Sequence, residues 1–226
     1  MKRTAVLILA LVLVGTWAFG QTQVLSRNAV GYVKVVAEKG KFHFMGHNFL
    51  NIDGSMVTIT NLLGDQVPIG STVYVWDPVG QAYVSASRTI AGWGAGGTNV
   101  LPPGRGFWLS IPSGAASNYY DIYLMGEVPD RISMSTSTVS VVSGFSMTGY
   151  PFPAEEFFTN TTLAKNAQIG DTMYYWTTNQ TYGSLSRTVA GWGIAAQNFK
   201  VTPGMGFWYK ANASTNWQEP KPYTWP

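Results

Sequence analysis

Without a cysteine, the chain must draw any chemistry from histidine, carboxylates, hydroxyls or aromatic rings, and it has only two histidines, His43 and His47. On a strand these two share a face, and a zinc ion would still need a third ligand from elsewhere. The segment that aligns with them 103 residues later carries Ser146 and Tyr150 instead, so the repeated sequence does not require imidazole. Ordinary surface or turn histidines are the expectation, and no metal. Glu155 and Glu156 are adjacent, so their side chains diverge; they suit the first turn of a helix better than a shared substrate bond. Gly92-Trp93-Gly94-Ala95-Gly96-Gly97 suggests a phosphate-cradling loop, but neither Lys-Ser/Thr nor an amphipathic helix follows it. No nucleophile-elbow G-x-S-x-G is present. The expectation is therefore a protein with no catalytic residue and no cofactor.

What remains is aromatic, and it is written twice. Ile69-Gly70-Ser71-Thr72-Val73-Tyr74-Val75-Trp76 recurs 100 residues later as Ile169-Gly170-Asp171-Thr172-Met173-Tyr174-Tyr175-Trp176. Arg88-Thr89-Ile90-Ala91-Gly92-Trp93-Gly94 recurs 99 residues later as Arg187-Thr188-Val189-Ala190-Gly191-Trp192-Gly193. Pro103-Gly104-Arg105-Gly106-Phe107-Trp108 recurs at 100 as Pro203-Gly204-Met205-Gly206-Phe207-Trp208. Upstream, 42–49 aligns with 145–152. Blocks in one order, with offsets changing only between them, indicate an internal duplication with copies of about 100 residues, an ordinary size for a small domain.

The elements that must position these rings read as strands. In 72–76 the β-branched and aromatic residues alternate, placing Val73 and Val75 on one face and Tyr74 and Trp76 on the other. Asp77-Pro78-Val79-Gly80 is a turn, and Tyr83 and Val84 begin a return strand. After the turn signal Pro103-Gly104, residues Phe107, Leu109 and Ile111 share a face opposite Trp108 and Ser110. Segments 31–36 and 119–128 read as further strands, and 130–142 as a Ser/Thr-rich strand pair or a linker with a strand. The best helix candidate is short: 153–158, with an early proline and two acids. Many short strands between Gly and Pro turns predict an all-β protein of two tandem β-sandwich or jelly-roll-like domains, 21–129 and 130–226.

Residues 1–20 read as a secretory signal peptide: Lys2 and Arg3, an apolar run over 5–14, and Ala18-Phe19-Gly20 before the cut. That run is about half of what a spanning helix needs, so no transmembrane anchor is expected in the mature chain. The whole sequence has 14 basic and 11 acidic residues; the signal peptide removes two of the basic ones and no acid, leaving a nearly neutral protein with scattered charge. A nucleic-acid partner is therefore not expected.

Gly144-Phe145-Ser146-Met147-Thr148-Gly149-Tyr150-Pro151-Phe152-Pro153, the Tyr-Trp strand and Pro203-Gly204-Met205-Gly206-Phe207-Trp208 together resemble the exported bacterial β-module with a "GWNLVGNPYP … YVWD … PGQGFFV" pattern. The first copy departs from it at 46–50, where proline is missing. The resemblance implies a secreted or surface protein and supplies no catalytic residue. The expected function is thus a non-enzymatic exported structural or interaction protein of the cell surface, matrix or periplasm, with surface proteins or polysaccharide as partners. The alternative is a carbohydrate-binding protein that stacks sugars on Trp76, Trp93, Trp108, Trp176, Trp192 and Trp208, with Trp93 and Trp192 foremost. Against that platform stands the plainer expectation that the rings fill the core.

Overall fold

The structure is a computed structural model, and it describes residues 29–129 and 135–223. The signal-peptide segment lies outside them, as does the start of the second expected domain. The described chain is all-β, with three α-helices of four or five residues and two 3-10 helices, Ala95–Thr98 and Phe158–Asn160. In the first half, β1 (Val30–Glu38) pairs antiparallel with β8 (Tyr119–Glu127). Between them in sequence come β2 (Phe42–Gly46), β3 (Val57–Thr58), α1 (Ile59–Leu63), β4 (Thr72–Asp77), β5 (Ala82–Ser87), β6 (Val100–Leu101) and β7 (Gly106–Ser110). The second half runs β9 (Thr136–Val141), β10 (Gly144–Gly149), β11 (Glu156–Phe157), α2 (Thr162–Lys165), β12 (Thr172–Trp176), β13 (Tyr182–Ser186), α3 (Gly193–Gln197), β14 (Lys200–Val201), β15 (Gly206–Ala211) and β16 (Thr215–Pro220). Sheet order is the same in both halves: β2-β7-β4-β5 corresponds to β10-β15-β12-β13, β3-β6 to β11-β14 and β1-β8 to β9-β16.

Alternation then separates the layers. Val73, Val75, Phe107, Leu109 and Ile111 join Ile59, Leu62 and Leu63 of α1 and Ile122 and Leu124 of β8 in one core. Met173, Phe207 and Tyr209 join Phe158, Leu163 and Trp217 in a second. The opposite faces of the two four-stranded sheets meet each other: Phe44, Trp108, Met147 and Trp208 form a third buried cluster, with Tyr74, Trp76, Tyr174 and Trp176 packed against it. The result is a sandwich-like arrangement whose middle layer is a seam of rings contributed by both halves.

At one end of the seam the backbones themselves touch. Gly46 N donates to Gly204 O at 2.9 Å and Gly149 N to Gly104 O at 3.0 Å. Glycine permits this approach: a Cβ on Gly46 would lie 2.3 Å from Met205 O, and one on Gly206 would lie 2.4 Å from Met45 O. Gly104 and Gly204 sit at φ +85° and +81°, as their Pro-Gly turns require. Buried Asn48 locks the crossing by accepting from Gly204 N at 2.8 Å and donating to Tyr150 O.

One local expectation is corrected. Segment 153–158 is not a helix, because Glu156 and Phe157 pair with Val201 and Lys200, and Phe158 N donates to Phe199 O at 2.8 Å. The helix starts later, where the hydroxyl of Thr161 caps Ala164 N at 3.2 Å.

Candidate functional site

The six tryptophans singled out by the sequence occupy two kinds of place. Trp93 belongs to the first core, 5% exposed, and its indole N–H donates to Gly64 O at 3.0 Å. Trp192 packs half-buried against the second core and donates to Ala164 O at 2.9 Å. Both anchor their loops onto the adjacent helices, and neither lines either of the two aromatic grooves. The other four meet in the seam. Trp108 and Trp208 are buried at its centre, and Trp76 and Trp176 lie half-buried over them.

These four rings cross between the halves. Trp76 packs edge to face with Trp208 at 5.2 Å, and Trp176 with Trp108 at 5.0 Å. Trp76 Nε1 donates to Phe145 O at 3.0 Å, and Trp176 Nε1 to Phe42 O at 3.1 Å. Buried indole N–H groups seek such partners, so each half clamps the other through the same bond.

Two open grooves flank this crossing. The first, about 500 Å³, is lined by Trp76, Tyr83, Phe145, Tyr174, Tyr182 and Trp208. The second, about 400 Å³, is lined by Phe42, Tyr74, Tyr83, Trp108, Trp176 and Tyr182. Each lining residue of one has its counterpart in the other, and Tyr83 and Tyr182 border both. Burial raises the hydroxyl pKa of Tyr83 and Tyr182, so both stay protonated at neutral pH. Trp208 Nε1 donates to the Tyr182 hydroxyl at 3.2 Å.

Alternation placed Tyr74 and Trp76 on one face of their strand and Trp108 opposite Phe107 and Leu109 on another strand, but Phe42 did not stand out in the sequence. The sequence signal for Phe42 was its alignment with Phe145 at the 103-residue offset, and Phe145 also lies in the segment that carries the resemblance. The structure leaves Phe42 45% and Phe145 38% exposed on the groove margins.

Among the described residues, the lining of neither groove contains a carboxylate, histidine, lysine or serine. What it can do is pack against apolar or flat surfaces, attract a cation to ring faces and exchange hydrogen bonds through tyrosyl hydroxyls. The histidines lie elsewhere. His43 Nε2 is 2.9 Å from Glu38 N, and His47 is fully buried just past the end of β2. Among the described residues no group of three His, Cys, Asp or Glu is arranged to hold a metal ion, and no helix is long and apolar enough to cross a membrane. Compared with known proteins, the chain matches no family model, no curated protein and no solved structure.

Proposed function

We propose that the protein is an exported, non-enzymatic interaction protein that engages its partner through the paired aromatic grooves. The observation that carries this reading is the lining itself: six rings per groove, open to solvent, with no carboxylate, histidine, lysine or serine among the described lining residues. Apolar concave sites with few polar groups are the usual form of a ligand site, and rings already held by their neighbours lose little entropy on binding. Carbohydrate is the second reading, favoured by the hydroxyls of Tyr83 and Tyr182, which offer a hydrogen-bond partner beside each ring face.

The test is a glycan array together with a thermal-shift screen of small ligands, run on the wild type and on Tyr83→Ala/Tyr182→Ala. Both tyrosines are about half exposed, so the double variant is expected to stay folded by circular dichroism. A ligand bound by the wild type and lost from the variant is the expected result. Binding that survives the double substitution, or turnover of a substrate that a single substitution elsewhere abolishes, overturns the proposal.

A further inference from the structure

With the grooves taken as the binding surface, as proposed above, their geometry also restricts the ligand's chemistry. In the first groove Trp76, Tyr83 and Trp208 lie 5.0, 5.2 and 6.2 Å apart with interplanar angles of 73°, 85° and 75°. In the second, Trp176, Tyr182 and Trp108 lie 4.8, 5.0 and 6.3 Å apart at 71°, 84° and 80°. No two rings of either trio stack, so their faces point in three directions and do not form one flat platform. A sugar ring would lie flush on a single face, whereas a compact tetrahedral group meets several rings together.

Hydrogen bonding narrows the choice further. The indole N–H groups of Trp76, Trp176 and Trp208 are already committed to Phe145 O, Phe42 O and the Tyr182 hydroxyl. Among the described residues no carboxylate, amide or guanidinium lines either groove. Apart from the tyrosyl hydroxyls the linings offer few acceptors, so sugar hydroxyls or a primary ammonium would gain little from the groove walls over water. A quaternary ammonium has no N–H to satisfy, and its charge is attracted by ring faces.

The two grooves differ in one informative respect. Lys210 pairs with Phe145 across β10 and β15, and its Nζ stands over the Phe145 ring at 5.8 Å. The corresponding partner of Phe42 is Ser110, so the second groove has no such resident ammonium. Arg105 donates to Trp76 O beside the first groove, where the Asp77 carboxylate offsets its charge, and the matching positions carry Met205 and Thr177, so Lys210 is the difference that matters. In the cleft next to the second groove, Lys41 and Glu38 form an ion pair at 2.7 Å and offset each other's charge.

We propose that the groove of Trp108, Trp176 and Tyr182 binds a quaternary ammonium group of the choline type, and that the ammonium of Lys210 disfavours the same binding in the other groove. Calorimetric titration with choline, and with the uncharged isostere in which a tert-butyl group replaces trimethylammonium, tests this. One equivalent of choline is expected, bound roughly tenfold or more tightly than the isostere. Trp176→Ala is expected to weaken choline binding at least tenfold, and Trp176→Phe, which keeps a ring in place, to retain part of it. Lys210→Ser alters an exposed side chain and is expected to raise the stoichiometry from one to two.

Phosphatidylcholine vesicles form the second arm: retention of the protein on them identifies a lipid headgroup as the source, and choline binding without retention identifies a soluble one. Equal binding of choline and isostere overturns the inference, because the groove then reads shape and not charge. Stoichiometry unchanged in Lys210→Ser overturns the part assigned to Lys210. Absence of choline binding, with a glycan bound and lost in Tyr83→Ala/Tyr182→Ala, overturns the inference alone; absence of any ligand overturns the groove reading as well.

Discussion

Acidification from pH 7 to pH 4.5 is expected to destabilise the protein by about 2 kcal/mol through His47. The imidazole is fully buried, and neither ring nitrogen has a hydrogen-bond partner of good geometry. Burial lowers its pKa from 6.5 to about 4, with a backbone contribution from Phe49 pulling weakly the other way. The sign follows from which state takes the proton first. Between pH 6.5 and about 4 the unfolded chain is protonated at His47 and the folded one is not, so stability is full above this window and falls as pH drops through it. The gap, at about 1.36 kcal/mol per pH unit, amounts to about 3 kcal/mol in all, of which about 2 are lost by pH 4.5. Urea unfolding at pH 7.5, 6.5, 5.5 and 4.5 measures the slope, and stopping at 4.5 keeps most of the carboxylate titration outside the range. His47→Leu removes the proton site and keeps the backbone bonds of residue 47 to Arg105 O (3.0 Å) and from Gly104 N (2.8 Å). The variant is expected to be nearly flat over this range, with the residual slope coming from His43, whose pKa burial also lowers. At pH 7.5 it should be at least as stable as the wild type, since it no longer buries two unpaired nitrogens. A variant that keeps the full wild-type slope refutes the assignment to His47.

Two further outcomes follow from the seam and from the second core. Gly46→Ala places a methyl 2.3 Å from Met205 O, a backbone atom that must retreat by about 1 Å; about 2–4 kcal/mol of stability should be lost in urea unfolding. Gly114→Ala, with no atom within 4 Å of the new methyl, should change stability by less than about 0.5 kcal/mol, and equal losses in the two variants would contradict the close crossing. Tyr209→Phe removes the 2.9 Å bond from the buried hydroxyl to Asp171 Oδ2 and should cost about 1.5–3 kcal/mol by the same measurement. Asp171→Ser/Tyr209→Leu recreates the first half's Ser71 and Leu109, and it should cost less than the summed single substitutions by about 1 kcal/mol; strict additivity would mean that the two side chains do not interact.

Much of the fold was legible because its determinants are local. Alternation in 72–76 correctly separated Val73 and Val75 from Tyr74 and Trp76, and Pro103-Gly104 and Pro203-Gly204 marked turns that glycine alone suits. The site was less legible because its determinants are distant in sequence. Period two tells that Tyr74 and Trp76 share a face, but the rings that cover that face lie about 100 residues away in Trp208 and its neighbours. Nothing local marks Gly46 as the point where another backbone arrives. Segment 153–158 has the composition of a helix start, yet the pairing of Glu156 and Phe157 with β14 overrides that preference. His47, expected to be an ordinary surface or turn histidine, is instead fully buried just beyond the last residue of β2.

The composition of the grooves ties the interaction reading to the whole chain and not to either half. In the first groove Trp76 and Tyr83 come from one half and Phe145, Tyr174, Tyr182 and Trp208 from the other; the second groove reverses the division. A single half would present Trp76 or Trp176 without the carbonyl that holds its indole, and would lack four of the six rings of one groove and two of the other. Joining the halves in one chain makes the meeting of their faces an intramolecular event, favoured by the high effective concentration that a covalent link provides. The seam can then rely on rings and glycine contacts while the polar positions differ between halves: Arg105 against Met205, Ser110 against Lys210, Ser71 against Asp171. The first two of these differences change the charge near the grooves and the third lies by the second core, so two grooves of matching ring composition become electrostatically distinct.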